Sequence, residues 1–132
     1  MLLDKNQLKD YLEEINQLNK EYLNEVIDRV NYFAVIEDSK LLAAASVKCF
    51  SGHWYLRSCF VKPEYRGKGL QRKLIQERIE YLKSKTDVVK ISVKPTNKYS
   101  LDNIKAEGFE FFTEEILKNG ILVHKYKKII NP

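Results

Sequence analysis

The segment Arg66-Gly67-Lys68-Gly69-Leu70-Gln71 carries residue types that suit phosphate binding. Two glycines among three residues allow the backbone to turn so that successive N–H groups point into one concavity. A predicted helix begins there and adds its unpaired N–H groups and the positive end of its dipole. Arg66 and Lys68 place positive charge at the same mouth. The sequence therefore predicts a loop that binds a pyrophosphate.

Excess positive charge lies beside this loop. The chain has 132 residues and a formal net charge of +5. Nine basic and four acidic residues lie between Lys62 and Lys90, whereas the rest of the chain carries 14 of each kind. Because the whole excess is in one segment, the pattern favours a local anionic partner over a uniformly basic protein. A solvated, lysine-rich helix face is the alternative interpretation.

Two common kinds of phosphate loop do not fit this segment. A mononucleotide P-loop requires Gly-x4-Gly-Lys-Ser/Thr, and no such run occurs in the chain. A dinucleotide-binding loop requires a third glycine, but Arg72 stands at that position and the predicted order of strands differs as well. A third kind of loop must be considered.

The segment resembles the pyrophosphate loop of the GNAT superfamily of N-acyltransferases, whose pattern is Gln/Arg-x-x-Gly-x-Gly/Ala. Arg66 and Gly69 match this pattern, whereas Gln71 replaces the final small residue. The lead-in Val61-Lys62-Pro63-Glu64-Tyr65 is also similar to the strand and proline that precede the family's loop. Further along the chain, Asn97 followed by Gly108-Phe109 resembles the family's later helix.

Hydrophobic periodicity and turn residues predict the elements that position the loop. Pro63 ends the strand before the loop because it has no N–H for the ladder, and Gly108 ends the last helix in a left-handed conformation. A loose tail is expected after Lys127. The predicted elements are a helical stretch over Leu8–Val30 jointed near Asn16–Lys20, strands at Tyr32–Glu37, Leu41–Phe50 and His53–Val61, a helix over Leu70–Lys85, a strand at Val88–Val93, a short helix from a cap at Asn97 or Ser100 to Glu107, and a hairpin of Phe109–Phe112 with Ile121–Tyr126.

The order of these elements predicts one mixed α/β domain over residues 1–132. A strand–helix–strand crossover from Tyr55 to Val93 requires two parallel strands in an otherwise antiparallel sheet, with helices on both faces. The resemblance implies a GNAT-like fold in which the parallel pair is splayed around the cofactor. It also implies that the family's first strand is reduced here to Met1–Leu3.

Composition restricts the class of protein. No apolar run approaches the ~18 residues that span a membrane, and the chain turns polar at Asp4, so a secretory signal is not expected. Cys49 and Cys59 make no disulfide framework, and His53 and His124 make no zinc site, so no metal is expected. A protein of the reducing cytoplasm is expected.

The resemblance implies that acetyl-coenzyme A is the cosubstrate. Its pantetheine arm would lie between Tyr55–Val61 and Val88–Val93 and pair with the backbones of Cys59, Phe60 and Val61. The N–H of Cys59 or its neighbour would polarise the thioester carbonyl. The pyrophosphate would be held by Arg66, Gly67, Lys68, Gly69, Leu70 and Gln71, with Asn97 also at the cofactor site. The side chain of Gln71 would either crowd the phosphate or donate to it.

Proton transfer is where the sequence departs from the family. Many members have a tyrosine acid seven residues after the asparagine, but this position is Ile104. Tyr99 and Tyr126 are the candidate substitutes. Family members often carry a glutamate base at the position of Tyr55, and His53 lies on the same strand face. The Cys59 thiol has no base nearby in sequence and is interpreted as a buried strand residue.

Three functions are considered. The first is an N-acetyltransferase in which a primary amine of a small molecule or protein attacks the thioester directly. The second is a non-catalytic acyl-CoA-binding module, motivated by Ile104. The third, a nucleic-acid-binding domain, is disfavoured because aromatic residues are not interleaved with the basic ones. We expect no nucleic-acid or membrane partner; a homodimer is compatible with the sequence, which does not identify the acceptor amine.

Overall fold

The computed structural model describes residues 1–23 and 31–131. Its helices are α1 (Lys5–Leu18), α2 (Leu70–Leu82) and α3 (Lys98–Ala106), with a π-helical segment at Asn19–Leu23 and a 3-10 turn at Pro63–Tyr65. Its strands are β1 (Tyr32–Glu37), β2 (Lys40–Phe50), β3 (His53–Val61), β4 (Val88–Val93), β5 (Glu110–Ile116) and β6 (Leu122–Ile129).

The six described strands form one sheet in the order β1-β2-β3-β4-β6-β5. Strands β3 and β4 are parallel and are joined by the crossover through α2, whereas the other neighbours are antiparallel. This arrangement confirms the predicted mixed sheet with one parallel pair. Leu2 makes an isolated bridge to Phe33, so the N-terminal residues add only a short edge to the sheet, as predicted.

Each face of the sheet is covered by helices with their own apolar cluster. Leu74, Ile75 and Ile104 bring α2 and α3 onto one face, where they pack with strand residues such as Leu56 and Val89. On the other face, α1 packs through Ile15. Helix α1 begins at a capping box, in which the Asp4 side chain accepts from the Gln7 N–H at 2.9 Å. The sheet is therefore enclosed on both faces around its central strands.

Several predicted boundaries need correction. The long N-terminal helix is α1 followed by the π-helical segment, and its predicted residues 24–30 lie outside the described residues. Helix α2 ends at Leu82 rather than Lys85. The predicted loose tail after Lys127 was wrong: β6 continues to Ile129, and the N–H of Ile130 donates to the Asp87 carbonyl at 2.8 Å. The buried Ile130 side chain belongs to the core, which holds this segment in place.

A β-bulge in β3 was not predicted. Ala44 pairs with Phe60 and Ser46 pairs with Arg57, so Ser58 and Cys59 together stand opposite Ala45. Ser58 adopts a φ of 56°, in the left-handed region. Because of the extra residue, Leu56 and Cys59 both contact the cluster under α2, although they are three positions apart. The bulge therefore re-aims the last residues of β3.

Candidate cofactor cleft

Strands β3 and β4 separate after a short paired stretch. Their parallel register joins Trp54 with Val89, Tyr55 with Lys90 and Leu56 with Ile91, and it extends no further. Beyond that point Ser92 and Val93 of β4 pair only with β6, while the end of β3 pairs only with β2. A gap therefore opens between the two parallel strands after the bulge.

A cavity of about 360 Å³ occupies this region. That size lies in the range of about 300–1,000 Å³ that is usual for small-molecule sites. We call this cavity the cofactor cleft; it is lined by Tyr22, Leu23, Cys59, Phe60, Val61, Arg66, Gln71, Asn97, Tyr99 and Ser100. The cleft therefore combines the π-helical segment, the end of β3, the two ends of the glycine loop at Arg66 and Gln71, and the start of α3. The loop residues between those ends, which were also predicted to bind the cofactor, are not among the lining residues: Gly67, Lys68, Gly69 and Leu70.

Backbone groups of β3 point into the gap at alternate residues. The Lys62 N–H donates to the Leu42 carbonyl of β2 at 3.0 Å. Because backbone groups alternate in direction along an antiparallel strand, Phe60 also faces β2, whereas Cys59 and Val61 face the gap. Of the three backbones predicted to pair with pantetheine, those of Cys59 and Val61 are the ones directed toward it.

The glycine loop presents a helix N-terminus at the mouth of the cleft. Gly67 and Gly69 have φ values of 80° and 75°, a conformation that side chains with a Cβ rarely adopt. The first hydrogen bond of α2 runs from the Lys73 N–H to the Gly69 carbonyl at 3.0 Å. The preceding N–H groups in this turn, from Leu70 to Arg72, therefore have no partner within the helix. This conformation and this helix start are the ones that the predicted anion-binding loop requires.

Arg66 connects this loop to the strand and to the π-helical segment. Its Nε donates to the Val61 carbonyl at 3.1 Å, and its guanidinium lies 6.0 Å from the centre of the Tyr22 ring. Tyr22 in turn lies 6.1 Å from the Phe60 ring. Sequence reasoning missed Tyr22 and Leu23 as lining residues, since they belong to a helical apolar stripe and nothing local marks them as part of a site.

The Gln71 side chain borders the cleft and is 7% exposed. Its Nε2 donates to Ser100 Oγ at 3.1 Å, and its Oε1 accepts from Asn103 Nδ2 at 3.0 Å. Both ends of the amide are thus used to join α2 to α3. The two roles predicted for this side chain, crowding the phosphate and donating to it, stay predictions. Its backbone N–H stays in the first turn of α2.

The start of α3 contributes a cap and a tyrosine. Asn97 is the N-cap residue, and its Oδ1 accepts from the Ser100 N–H at 3.2 Å. Tyr99 lines the cleft and is 47% exposed. Ile104 is fully buried on the core side of α3. Its hydrocarbon side chain cannot donate a proton.

The other predicted proton-transfer residues lie outside the cleft lining. His53 is exposed at the first position of β3, about 20 Å along the strand from Cys59 at ~3.3 Å per residue. Tyr55 stands in the paired part of β3, between Lys48 and Lys90. Tyr126 is buried in the core, with its ring centre 5.8 Å from that of Phe111. Tyr99 is therefore the predicted proton donor that the structure brings to the cleft.

The Cys59 thiol is in an environment that keeps it protonated. Burial raises the pKa of Cys59 above its ordinary value, and the positive charge of Arg78 opposes only part of that rise. Burial likewise lowers the pKa of the Arg78 guanidinium. A raised pKa makes the thiolate scarce at neutral pH, which agrees with a structural side chain rather than a nucleophile.

Within residues 1–23 and 31–131, no group of three or more His, Cys, Asp or Glu side chains is placed to hold a metal ion. No helix in the described part of the chain is long and apolar enough to cross a membrane.

Comparison with protein families gives one match over most of the chain. Residues 5–130 match the model of the acetyltransferase (GNAT) domain. No curated protein matches the sequence.

Solved structures of similar fold agree with this match. A ribosomal-protein-alanine N-acetyltransferase from Brucella melitensis is 18% identical with a TM-score of 0.76, covering 98% of each chain. A Salmonella typhimurium protein described as an acetyltransferase, solved with its cofactor acetyl-CoA, is 18% identical with a TM-score of 0.79, covering 100% of this chain and 93% of that one. Arabidopsis thaliana NAA60, in complex with a bisubstrate analogue, is 14% identical with a TM-score of 0.76, covering 89% and 91%. At these identities the likeness shows the fold.

Proposed function

Since the chain belongs to the GNAT family of acetyltransferases, we propose that it transfers the acetyl group of acetyl-CoA to a primary amine of a small molecule or a protein. The observation that carries this proposal is one continuous cleft. Its lining joins the free edge of β3, at Cys59 and Val61, to Arg66 and Gln71, which flank the glycine loop at the N-terminus of α2. The acetyl-CoA bound by the Salmonella typhimurium protein of similar fold supports the same ligand here.

The residues of the cleft fit the two ends of this cosubstrate. The outward backbone groups of Cys59 and Val61 would pair with the amides of the pantetheine arm, as an added strand does at a sheet edge. The unpaired N–H groups from Leu70 to Arg72 would hold the pyrophosphate, with the cations of Arg66 and Lys68 close to it. When bound, acetyl-CoA supplies an acetyl group activated as a thioester.

The chemical step joins the amine nitrogen to the acetyl carbon and breaks the carbon–sulfur bond. The Cys59 N–H would donate to the carbonyl oxygen as negative charge develops on it. The Tyr99 hydroxyl, at the lining of the cleft, would give a proton to the leaving sulfur. The described lining residues include no carboxylate or imidazole. The amine must therefore reach the cleft in its neutral form, and after attack the proton that its nitrogen releases passes to water. The rate should then rise with pH toward the pKa of the amine.

Calorimetric titration with acetyl-CoA tests the cleft as the binding site. We compare the wild type with Gly69→Val and with Gly52→Val as a matched control. Both glycines have positive φ, at 75° and 77°, and a Cβ at either would meet nothing within 4 Å. The two substitutions therefore carry similar backbone strain, but Gly52 lies in the turn between β2 and β3, at the opposite end of β3 from the cleft, whereas Gly69 lies between the lining residues Arg66 and Gln71.

We expect the wild type and Gly52→Val to bind acetyl-CoA alike and Gly69→Val to bind it at least about tenfold more weakly, since its loop must leave the left-handed conformation. Absence of binding by the wild type would overturn the proposal. Equal binding by all three proteins would show that the glycine loop is not the phosphate site.

A non-catalytic acyl-CoA-binding module is the second candidate. The observation in its favour is the burial of Ile104, which stands where many family members carry the tyrosine acid. A thiol-release assay with acetyl-CoA and a panel of small amines and peptide N-termini separates the two functions. An acetyltransferase releases free thiol with at least one amine, whereas the module binds acetyl-CoA and releases none.

A further inference from the structure

Arg78 is a cation inside the apolar core. It is 1% exposed and is the one buried charged side chain among residues 1–23 and 31–131. It stands on α2 midway between Leu74 and Leu82, which are both fully buried in the core four residues away on either side. Burying an arginine without a carboxylate partner has a desolvation cost of several kcal/mol, and none of the described ion pairs includes Arg78. Its presence therefore calls for a specific role.

The guanidinium of Arg78 binds main-chain carbonyls of both strands at the base of the bulge. Its Nη1 donates to the Ser46 carbonyl at 3.2 Å and lies 3.5 Å from the Arg57 carbonyl. Its Nε donates to the Leu74 carbonyl of its own helix at 3.0 Å. Ser46 and Arg57 are register partners directly before the bulge, and Ser46 Oγ also donates to the Arg57 carbonyl at 3.3 Å. Helix α2 is thus fastened to the point where β3 changes direction.

The bulge decides where the Cys59 N–H points. Ser58 is held in the left-handed region at a φ of 56°, a conformation that persists only where its surroundings enforce it. The same helix α2 begins at the glycine loop. Arg78 therefore connects the loop that would hold the pyrophosphate to the strand segment that would bind the acyl group.

We propose that Arg78 is a positioning residue for acetyl transfer: its guanidinium holds the β-bulge at Ser58 and thereby orients the Cys59 N–H toward the thioester carbonyl. This inference rests on the proposed function for its effect on turnover. The effect of Arg78 on the conformation of the bulge does not depend on acetyl-CoA, so it can be measured in the protein without ligand, separately from turnover.

Arg78→Met tests the proposal without leaving a buried charge unpaired. Methionine is long and apolar, and replacing a buried charge by a packed apolar side chain is often neutral or stabilising. We expect the variant to melt at or above the wild-type temperature and to keep its KM for acetyl-CoA within about threefold, because the glycine loop is intact. Its kcat should fall by about 10–100-fold, the loss typical of a misplaced group. Arg78→Lys, which keeps a donor, should recover part of kcat.

Amide hydrogen exchange in the protein without ligand supplies the second readout. In Arg78→Met the amide of Phe60, whose N–H faces β2 directly after the bulge, should exchange faster, whereas in the control Leu82→Met, on the same face of α2, it should not. Unchanged exchange at Phe60 in Arg78→Met would overturn the proposal even if the enzyme were inactive. A lower melting temperature together with the loss of kcat, without recovery of kcat in Arg78→Lys, would show that Arg78 only stabilises the fold. A wild type without turnover would refute the proposed function, while the exchange data would still decide whether Arg78 holds the bulge.

Discussion

The two halves of β3 share one strand but have different neighbours. Trp54–Leu56 pairs with β2 on one side and with β4 on the other, whereas Cys59–Val61 pairs with β2 alone and borders the cofactor cleft. The bulge at Ser58 marks the change between them. The difference shows that the site is made of backbone that the sheet leaves unpaired, while the paired half fixes where that backbone lies.

The largest expected difference between the halves is in stability. Leu56 is 1% exposed in the core, and Leu56→Ala should reduce the free energy of unfolding by about 2–5 kcal/mol. Cys59→Ala removes a partly exposed side chain of the free half and should cost less than about 1.5 kcal/mol. Urea denaturation measures both. Neither should change acetyl-CoA affinity in the folded protein by more than about threefold, since the backbone makes the contacts. Equal destabilisation by the two variants would contradict the distinction.

A smaller effect is expected from Gln71→Ala. This variant tests the claim that backbone groups, rather than side chains, bind acetyl-CoA in the cleft. The substitution removes the bonds to Ser100 and Asn103 and should cost about 1–2 kcal/mol of stability. Acetyl-CoA affinity should stay within about threefold of wild type, because the residue 71 N–H is kept. Calorimetry and thermal melting check the two parts, and an affinity loss of more than about tenfold would show that the side chain is needed at the phosphate site.

The smallest expected effect concerns the chemistry of the two cysteines. Cys59 lies in the free half with a pKa raised by burial, whereas Cys49 is exposed near the end of β2. Because alkylation requires the thiolate, Cys59 should react with iodoacetamide more slowly than Cys49 at pH 8, and its rate should keep rising as pH increases toward its raised pKa. Mass spectrometry of timed samples measures both rates in one protein. Faster labelling of Cys59 would mean that the free half is far more open than the structure shows.

Local sequence signals predicted the parts of the site that depend on local conformation. Glycine suits the positive φ at Gly67 and Gly69, and Pro63 ends the ladder of β3, so the position and conformation of the loop were predictable. Asn97 was one of the two predicted caps, because an asparagine oxygen can accept from a backbone N–H of the first helical turn. The order of strands and helices then implied the parallel pair.

The parts that depend on distant residues were not predictable in this way. Nothing in serine favours a positive φ, so the bulge at Ser58 follows from the register with β2 and from Arg78. Arg78 is one of the nine basic residues between Lys62 and Lys90, and helical spacing does not say which charged residue is buried. The role of Gln71 depends on α3, which follows it by nearly thirty residues. His53 was placed by counting along β3, although the cleft lies at the other end of that strand.

Residue-resolved amide hydrogen exchange with and without acetyl-CoA tests the central claim most directly. If the unpaired half of β3 binds the cosubstrate, saturating acetyl-CoA should slow exchange at Cys59 and Val61 by about tenfold or more. Exchange should change little at Phe60, whose N–H faces β2, or at Trp54 and Leu56 in the paired half. Binding of acetyl-CoA that left Cys59 and Val61 unchanged and protected other segments would contradict the account.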